Sequence, residues 1–444
     1  MEENEIYAVD NIHQYNNQGG QKPKKDKHGS YFFCGLITGL TAAFLIVSGV
    51  YLTNRVQAYF AAKNQSGSLP TSSENSDGKK EDSVAGSAVT PEMIEKLQVI
   101  EAVIDTYYYQ EGIDRSDLEN GAYKGMVEAL GDPYSEYYSA EELNQLYQDS
   151  AGVYYGVGAY VSLDTATTLA KISGVIAGTP AEEAGLREND IIYKVDGVEV
   201  YGYTLQEVVS LIKGEEGTSV HLTLIRDGEE IEKDVVRRKV ESPTVNSEMF
   251  DNGIAYIQIT EFDTVTVDQF ADALAVARGS GMKGLILDLR SNPGGNLSAV
   301  VDIARMLLPE GLIVYTEDRD GKRVEYTCDG KHELEVPMVV LVNGNSASAS
   351  EILAGAIKDY GKGTLLGTTT FGKGIVQRPV ELSDGSAVKL TVSSYFTPNG
   401  VNIHGIGIEP DEVCEFDGER YYSDEKYDNQ KERAKELLES MIAQ

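Results

Sequence analysis

The chain of 444 residues contains few cysteines and few histidines, and these shortages exclude several kinds of site. Its three cysteines cannot form a disulfide framework, although a bridge between Cys328 and Cys414 remains open. No CxxC or HExxH pattern occurs, so we expect neither a metal nor another cofactor. Only five histidines are available as the base that usually activates a nucleophile.

Positive charge is also scarce, because the formal net charge is −33. A surface of this sign repels polyphosphate, so nucleic acid is excluded as a partner. The hydrophobic fraction of 41% and the 45 glycines are typical of a folded, turn-rich protein. The length predicts two or three domains.

One long apolar run stands near the N-terminus, from Tyr31 to Leu52, and it carries no charge. It is long enough to span a bilayer core of about 30 Å as a helix. The lysines at positions 22, 24, 25 and 27 precede it and place the N-terminus in the cytoplasm. We therefore expect a single-pass anchor in a bacterial cell membrane, with the rest of the chain outside the cytoplasm. A cleaved signal peptide is the alternative.

Composition and periodicity divide the chain into seven segments. We predict a polar, disordered tail, a transmembrane helix, a flexible linker, a helical platform, a domain of short strands, an α/β layered domain and a charged C-terminal helix. Their respective bounds are 1–30, 31–52, 53–90, 91–150, 151–240, 241–415 and 416–444.

Ser348 and Lys373 are the pair that points to chemistry. Ser348 lies in the run NSASASE at 345–351, and Lys373 lies in TTTFGKGIVQ at 368–377. A lysine replaces histidine as the base if its pKa falls by roughly three units, at a cost of about 4 kcal/mol. The apolar neighbours Phe371, Ile375 and Val376 are expected to help to keep the amine neutral. The pair predicts a Ser–Lys hydrolase site.

The spacing alone leaves alternatives open around this serine. Ser348 and Glu351 also form a capping box, and Ser346 and Ser350 are rival nucleophiles. A helix that begins at Ser348 would present main-chain amides to an oxyanion. The run DLRSNPGG at 288–295 ends a predicted strand and either supplies a second such amide or is a plain turn.

A glycine-punctuated turn lies near the start of the predicted domain of short strands, 151–240. The stretch PAEEAGLRENDIIYKVDG at 180–197 resembles a PDZ domain, whose glycine-rich turn holds a peptide C-terminal carboxylate. The matching turn here is Gly156, Val157, Gly158 and Ala159, with a structural turn as the alternative. Lys213 is either a further partner of that carboxylate or an ordinary surface lysine.

Several motifs in order resemble the carboxyl-terminal processing (tail-specific) serine peptidases. They are GDPYSEYY at 131–138, the PDZ-like segment, DLRSNPGG, NGNSASASEILAGAIKDYGKG at 343–363, TTTFGKGIVQ and HGIGIEPD at 404–411. The resemblance covers about Glu95 to Asp411. It implies an α/β peptidase domain of the crotonase/Clp-protease kind, preceded by a PDZ-like domain.

The resemblance also implies roles for individual residues. Ser348 matches the nucleophile, Lys373 the general base and Gln377 a residue that positions the lysine. Ala349 and Gly295 match the oxyanion amides, with Gly294 as a rival, and Asp359 matches an accessory acid for which a structural role is equally open. His404, with Asp288 or Asp411, offers a Ser-His-Asp alternative that the resemblance does not support.

We therefore expect an extracytoplasmic serine endopeptidase that binds apolar C-terminal tails of proteins through its PDZ domain. The resemblance further implies homo-oligomers, PDZ movement that aligns the site, and an activating protein. The alternatives are an inactive peptide-binding scaffold and an acyl-thioester enzyme of the crotonase fold.

Overall fold

The computed structural model describes residues 87–164, 167–423 and 426–443. The chain divides into two compact units between Glu111 and Gly112. In the first unit the described residues form helix α1, Pro91–Tyr107, whose N-cap Thr90 accepts a hydrogen bond from the Met93 N–H. Within the three described ranges, no helix has the length and apolar character needed to cross a membrane. The predicted transmembrane segment, Tyr31–Leu52, lies outside them.

The second unit begins with two helices that flank a short strand. They are α2 (Arg115–Glu128), β1 (Glu136–Tyr138) and α3 (Ala140–Ala151). Helix α3 starts with a capping box between Ser139 and Glu142 and ends at Gly152, which has left-handed backbone angles.

The region from 153 to 241 is built from short strands and two helices. Its elements are β2 (Val153–Gly156), β3 (Ala159–Leu163), β4 (Ala170–Val175), α4 (Pro180–Glu183), β5 (Ile191–Val195), β6 (Val198–Glu199), α5 (Leu205–Ile212), β7 (Ser219–Arg226), β8 (Glu229–Val236) and β9 (Arg238–Glu241). The main sheet has the order β3-β4-β5-β7-β8, so β3 is an edge strand, while β2 pairs with β9. Its own core includes Ile172, Leu222 and Leu224.

The remaining residues alternate strands and helices. They form β10 (Val245–Met249), β11 (Ile254–Ile259), α6 (Thr264–Gly279), β12 (Gly284–Asp288), α7 (Leu297–Arg305), β13 (Gly311–Asp318), β14 (Arg323–Cys328), β15 (Met338–Val342), α8 (Ala349–Asp359), β16 (Thr364–Gly367), β17 (Ile375–Glu381), β18 (Ala387–Phe396), β19 (Glu412–Val413), α9 (Gly418–Tyr422) and α10 (Asn429–Ile442).

Two sheets organise this last domain. The first has the order β10-β11-β12-β15-β16-β19 and is parallel from β11 onward. Helices α6, α7 and α8 pack on one face of it, and Leu438 of α10 packs on the other face against Ile286 and Leu366. The second sheet is antiparallel, with the order β1-β18-β13-β14 and with β17 also paired to β18. The predicted α/β layered domain is therefore confirmed, with an antiparallel sheet added to it.

Candidate functional site

Ser348 lies where the buried strand β15 turns into helix α8. It is the N-cap residue of α8, and its φ of 54° lies in the left-handed region that non-glycine residues rarely occupy. Such a conformation costs about 1–3 kcal/mol, so the surrounding contacts must hold it in place. A side chain on a sharp strand-to-helix turn projects toward whatever occupies the sheet edge, next to the free amides of the helix.

The three serines of the SASAS run have different surroundings. The Ser346 hydroxyl donates to the Leu289 carbonyl at 2.8 Å, and the Ser350 hydroxyl donates to the Asn292 carbonyl at 3.0 Å. Both residues have no exposed surface, whereas Ser348 is half-buried. The flanking serines therefore bond the α8 turn to the neighbouring loop, and Ser348 is the one that is presented to the site.

A buried carboxylate links Ser348 to the lysine segment. Glu351 has no exposed surface and its Oε2 accepts hydrogen bonds from the Ser348 N–H and the Lys373 N–H, both at 2.9 Å. Its Oε1 accepts from the Thr370 hydroxyl at 2.6 Å and from the Gly372 N–H at 2.7 Å. One carboxylate thus fixes the main chain of the serine turn and of the lysine loop side by side.

A buried tyrosine makes a second link between the same two segments. The Tyr395 hydroxyl, on β18, lies 3.0 Å from the Ser348 carbonyl oxygen and also contacts the Lys373 carbonyl oxygen. Burial, together with the nearby charge of Glu351, raises the pKa of Tyr395 well above its usual value. The phenol therefore remains a hydrogen-bond donor at any physiological pH.

The Lys373 side chain is half-buried. Of the three apolar neighbours, Phe371 is 55% exposed, while Ile375 and Val376 are half-buried. The Lys373 Nζ lies 4.6 Å from the centroid of the Tyr134 ring, over its face.

The loop after β12 reaches the serine turn from the other side. A Cβ on Gly294 would lie 2.7 Å from the Ser348 Cβ and 3.0 Å from the Ala349 nitrogen, so this backbone is in direct contact with the helix start. The Gly294 N–H already donates to the Asn292 side chain at 2.8 Å. The Gly294 N–H is therefore already engaged in a hydrogen bond within its own loop.

This glycine loop is fastened to a neighbouring turn. The Phe262 N–H donates to the Gly294 carbonyl at 2.7 Å, and the Asn296 N–H donates to the Phe262 carbonyl at 2.6 Å. A Cβ on Gly295 would lie 2.4 Å from the Phe262 oxygen, so only glycine fits there. The Asn296 side chain exchanges hydrogen bonds with Ser150 at the end of α3, at 2.6 and 2.7 Å.

Asp263 follows Phe262 in this turn and is 4% exposed. Burial, together with the nearby carboxylates of Glu261 and Asp149, raises the pKa of Asp263 to about 7. The turn of Phe262 and Asp263 borders the glycine loop and the end of α3. It thus contains a carboxyl group whose pKa lies near neutral pH.

The two other predicted site residues, Gln377 and Asp359, lie on β17 and at the end of α8. Gln377 is on β17, and its side-chain amide donates to the Thr391 hydroxyl at 3.2 Å, on the strand that also carries Tyr395. Asp359 ends α8, about 16 Å along the helix from Ser348 at 1.5 Å per residue. Its carboxylate accepts from the Asn399 N–H at 2.8 Å, which is a structural contact.

The residues of the Ser-His-Asp alternative are not brought together. Asp288 forms an ion pair with Arg290 at 2.6 Å and accepts from the Tyr256 hydroxyl. Asp411 pairs with Lys358 at 3.3 Å and accepts from the Leu365 N–H. His404 is exposed on its loop, so the two aspartates that would orient it serve other elements.

The predicted carboxylate-binding turn lies between β2 and β3. A Cβ on Gly158 would lie 2.3 Å from Thr179, and the Val157 carbonyl accepts from the Ala181 N–H at 2.7 Å. Gly156 ends β2, and Ala159 begins the edge strand β3. The turn is thus both packed on α4 and followed at once by a free strand edge.

Lys213 caps the C-terminus of α5, close to this turn. Its Cγ lies 3.8 Å from a Cβ built on Gly156, and its Nζ lies 5.5 Å from the Tyr154 ring centroid. The structure therefore brings Lys213 to one end of the turn.

Sequence reasoning missed three residues of the site: Glu351, Tyr395 and Tyr134. Glu351 was visible only as the second half of a capping box, which indicates its bond to Ser348 but not its bonds to the lysine loop. Tyr134 was visible inside the GDPYSEYY motif, among several tyrosines. No local signal distinguishes Tyr395. Among the described parts of the chain, no cluster of three or more His, Cys, Asp or Glu side chains is arranged to hold a metal ion.

Comparison with known proteins agrees with this geometry. Residues 253–414 match the model for peptidase family S41, 171–226 match a PDZ domain, and 45–142 match the model described as the activating protease CtpB N-terminal domain. The "Carboxyl-terminal-processing protease" of Synechocystis is 39% identical over 300 residues, which cover 66% of this chain and 70% of that protein. "Carboxy-terminal processing protease CtpA" of Bacillus subtilis is 39% identical, over 72% of this chain and 69% of that one.

Among solved structures, the photosystem II D1 C-terminal processing protease shares 33% of its sequence with this chain. The match covers 74% of this chain and 94% of that one, with a TM-score of 0.44.

The matches to peptidase family S41 and to a PDZ domain define the class of this chain as serine-type peptidases with a PDZ domain. Within that class, the chain belongs to peptidase family S41, together with the carboxyl-terminal processing proteases. The family membership removes the crotonase alternative.

Proposed function

We propose that the chain is a membrane-anchored, extracytoplasmic endopeptidase that acts through a Ser348–Lys373 site on proteins with apolar C-terminal tails. The observation that carries this proposal is the double link described above. Glu351 and Tyr395 each bond to the main chain of both Ser348 and Lys373. A strained serine and a half-buried lysine are thereby held next to each other at the start of a helix.

In the proposed reaction the neutral Lys373 amine takes the proton from the Ser348 hydroxyl. The serine oxygen bonds to the carbonyl carbon, and the Ala349 and Gly295 amides stabilise the resulting oxyanion. The C–N bond then breaks, and the leaving amine receives the proton from the lysine. Water, deprotonated by the same lysine, hydrolyses the acyl ester and restores the serine.

Gln377 is proposed to position the lysine through β17 and β18. Its side chain is bonded to Thr391 on the strand from which Tyr395 reaches the Lys373 carbonyl. Asp359 is assigned a structural role, because its carboxylate caps the loop at Asn399 at the far end of α8.

Recognition of a C-terminal tail is proposed at the edge of the PDZ domain. The edge strand β3 follows the turn of Gly156 to Ala159 directly, so an added peptide strand would end at that turn. Lys213 stands beside Gly156 and supplies positive charge for the terminal carboxylate.

Anchoring is proposed from the uncharged run Tyr31–Leu52 and the lysines that precede it. Regulation by an activating protein and assembly as a homo-oligomer are proposed on the family membership and the match of 45–142. Alkaline extraction of membranes and protease accessibility in intact cells test the anchor. Release of the full chain by alkali would contradict it.

The site is tested with the full chain in detergent and an unfolded protein that ends in apolar residues. Ser348→Ala and Lys373→Ala are expected to abolish cleavage, while Ser280→Ala and Lys331→Ala, at exposed positions, keep the wild-type rate. Cleavage that survives Ser348→Ala or Lys373→Ala would refute the assignment. The same substrate with an acidic C-terminus tests tail recognition and is expected to be cleaved more slowly.

A further inference from the structure

Tyr134 belongs to the GDPYSEYY motif between α2 and α3, yet its ring lies against the lysine of the proposed site. The Lys373 Nζ is 4.6 Å from the ring centroid, over the ring face. Tyr134 is half-buried, as is Lys373. The position of the motif in the chain does not predict this contact, and the proposed reaction does not use it.

The turn that carries the ring is held firmly. Asp132 accepts from the Tyr134 N–H at 3.0 Å and from the Ser135 hydroxyl at 2.6 Å. The Ser135 hydroxyl in turn accepts from the Thr391 N–H at 3.2 Å on β18. The residues that follow form β1, which pairs with β18 along its whole length. The ring is thus fixed to the sheet rather than placed on a loose loop.

The same strand organises the rest of the lysine's surroundings. The Thr391 hydroxyl accepts from Gln377, and Tyr395, farther along β18, contacts the Lys373 carbonyl. The turn, the Gln377 side chain and the main chain at Lys373 are therefore all in contact with strand β18. The Tyr134 ring covers one side of the amine.

We propose that Tyr134 is a positioning residue for the Lys373 amine: its ring excludes water from one side of Nζ and thereby favours the neutral amine. This inference rests on the proposed function. An aromatic face also attracts a cation, which favours the charged form about two- to fivefold at a partly exposed site. Loss of hydration acts in the opposite direction, because it disfavours the charged form of the amine. In this proposal, the loss of hydration on the covered side of Nζ is the larger of the two effects.

Other ionisable groups also face this lysine. Glu351 on α8 bonds to its N–H, and the Tyr395 hydroxyl on β18 contacts its carbonyl. The loop that carries His404 packs on Gly374, and Asp132 accepts a hydrogen bond from the Tyr134 N–H. None of these groups is changed by a substitution at Tyr134, so a shift in the titration of the amine reports on the ring.

The experiment compares Tyr134→Ala, Tyr134→Phe and a matched control in the full chain. Tyr138→Ala is that control, because Tyr138 lies in the same motif and its ring lies 4.8 Å from the Nζ of a different lysine, Lys389. Two measurements are made: kcat/KM against pH, and the pH dependence of Lys373 labelling by acetic anhydride, read by mass spectrometry. The labelling reports the pKa of the amine without turnover.

Tyr134→Ala is expected to raise the apparent pKa of Lys373 by about one unit and to lower kcat/KM near pH 7 about tenfold, with recovery at higher pH. Tyr134→Phe and Tyr138→Ala are expected to keep the wild-type profile. Tyr134→Val, which packs near the backbone but does not reach the amine, is expected to shift the pKa in the same direction and is used if the alanine variant does not fold.

An unchanged or lower pKa in folded Tyr134→Ala or Tyr134→Val overturns the inference, as does an equal shift in Tyr138→Ala. If Lys373→Ala still cleaves, the proposed function fails, while the labelling still decides whether the ring controls the amine. If Lys373→Ala is inactive and the Tyr134 variants titrate like the wild type, only the inference fails.

Discussion

The buried carboxylate of Glu351 offers the sharpest single test of the site, through the substitution Glu351→Gln. The carboxylate accepts four hydrogen bonds, from the main-chain N–H groups of Ser348, Gly372 and Lys373 and from the Thr370 hydroxyl. Glutamine has nearly the same shape, but one of its two ends donates hydrogen bonds instead of accepting them. The substitution therefore changes the bonding with little change in packing.

The orientation of the glutamine decides how large the effect is. With its oxygen in the place of Oε2, the bonds to Ser348 and Lys373 remain, and the amide NH2 faces the Gly372 N–H. The reverse orientation would leave two main-chain N–H groups unpaired and is less favourable. One buried, unpaired N–H costs about 1–3 kcal/mol, and bonds to a neutral acceptor are weaker than bonds to a charged one. Easier burial of a neutral group offsets part of this, so we expect the free energy of unfolding to fall by about 2–3 kcal/mol.

Activity is expected to fall as well, because the same bonds align the serine turn with the lysine loop. A displacement of about 1 Å between reacting groups costs on the order of 100-fold in rate. We expect kcat/KM for an unfolded protein substrate to fall about 10- to 100-fold in protein that remains fully folded.

Urea unfolding followed by circular dichroism measures the stability, and initial cleavage rates well below the unfolding temperature measure the activity. Glu333→Gln is the matched control, since its ion pair with Lys362, at 2.6 Å, lies on the surface. That variant is expected to change stability by less than about 1 kcal/mol and to leave the rate unchanged. Wild-type kcat/KM in folded Glu351→Gln would refute the role of the carboxylate in alignment, and unchanged stability would refute the bonding described here.

Two further predictions concern groups around this centre. Tyr395→Phe removes the hydroxyl between the Ser348 and Lys373 carbonyls. We expect the free energy of unfolding, measured in urea, to fall by about 1 kcal/mol, and kcat/KM, measured from initial rates, to fall about tenfold. An unchanged rate would contradict the role of the Tyr395 hydroxyl in linking the serine and lysine segments. Burial raises the pKa of Asp263 to about 7 in the folded protein, against about 3.9 in the unfolded chain. The protonated carboxyl group therefore contributes fully to stability below about pH 3.9, and this contribution is lost as the pH rises through about 7. Asp263→Asn is expected to remove this loss, so that the unfolding temperature of the wild type falls relative to that of the variant between about pH 4 and pH 7; parallel curves would contradict the shift.

Much of the fold follows from local pattern. The residue pattern predicts a strand over Met338–Val342 and a helix over Leu205–Ile212, and both agree with the structure. The pattern also predicts a helix over Ser348–Lys358, which differs from α8 by one residue at each end. The strand and α8 are buried almost throughout, and Leu205–Ile212 has Val208 and Ile212 buried four residues apart on one face, so periodicity reports the structure directly. The antiparallel strands β13, β14 and β17 were not predicted. Their burial alternates irregularly, and β13 and β17 each contain a register shift where they pair.

The candidate site also has features that depend on local sequence and features that depend on tertiary contacts. The serine at a helix start, the glycine loop after a buried strand and the lysine between two glycines are local features, and the ordered motifs around them determine the family. The contacts that make these parts one site are between residues far apart in the chain: Glu351 with Lys373, Tyr395 with Ser348, and Tyr134 with Lys373.

The sequence by itself therefore determined the family, the order of the domains and the segments that carry the serine and the lysine. Only the tertiary structure decided which side chains hold those segments together and that the Tyr134 ring lies over the lysine amine. The reason is physical: periodicity and capping depend on near neighbours, whereas these contacts depend on how a sheet, a helix and a distant turn pack in three dimensions.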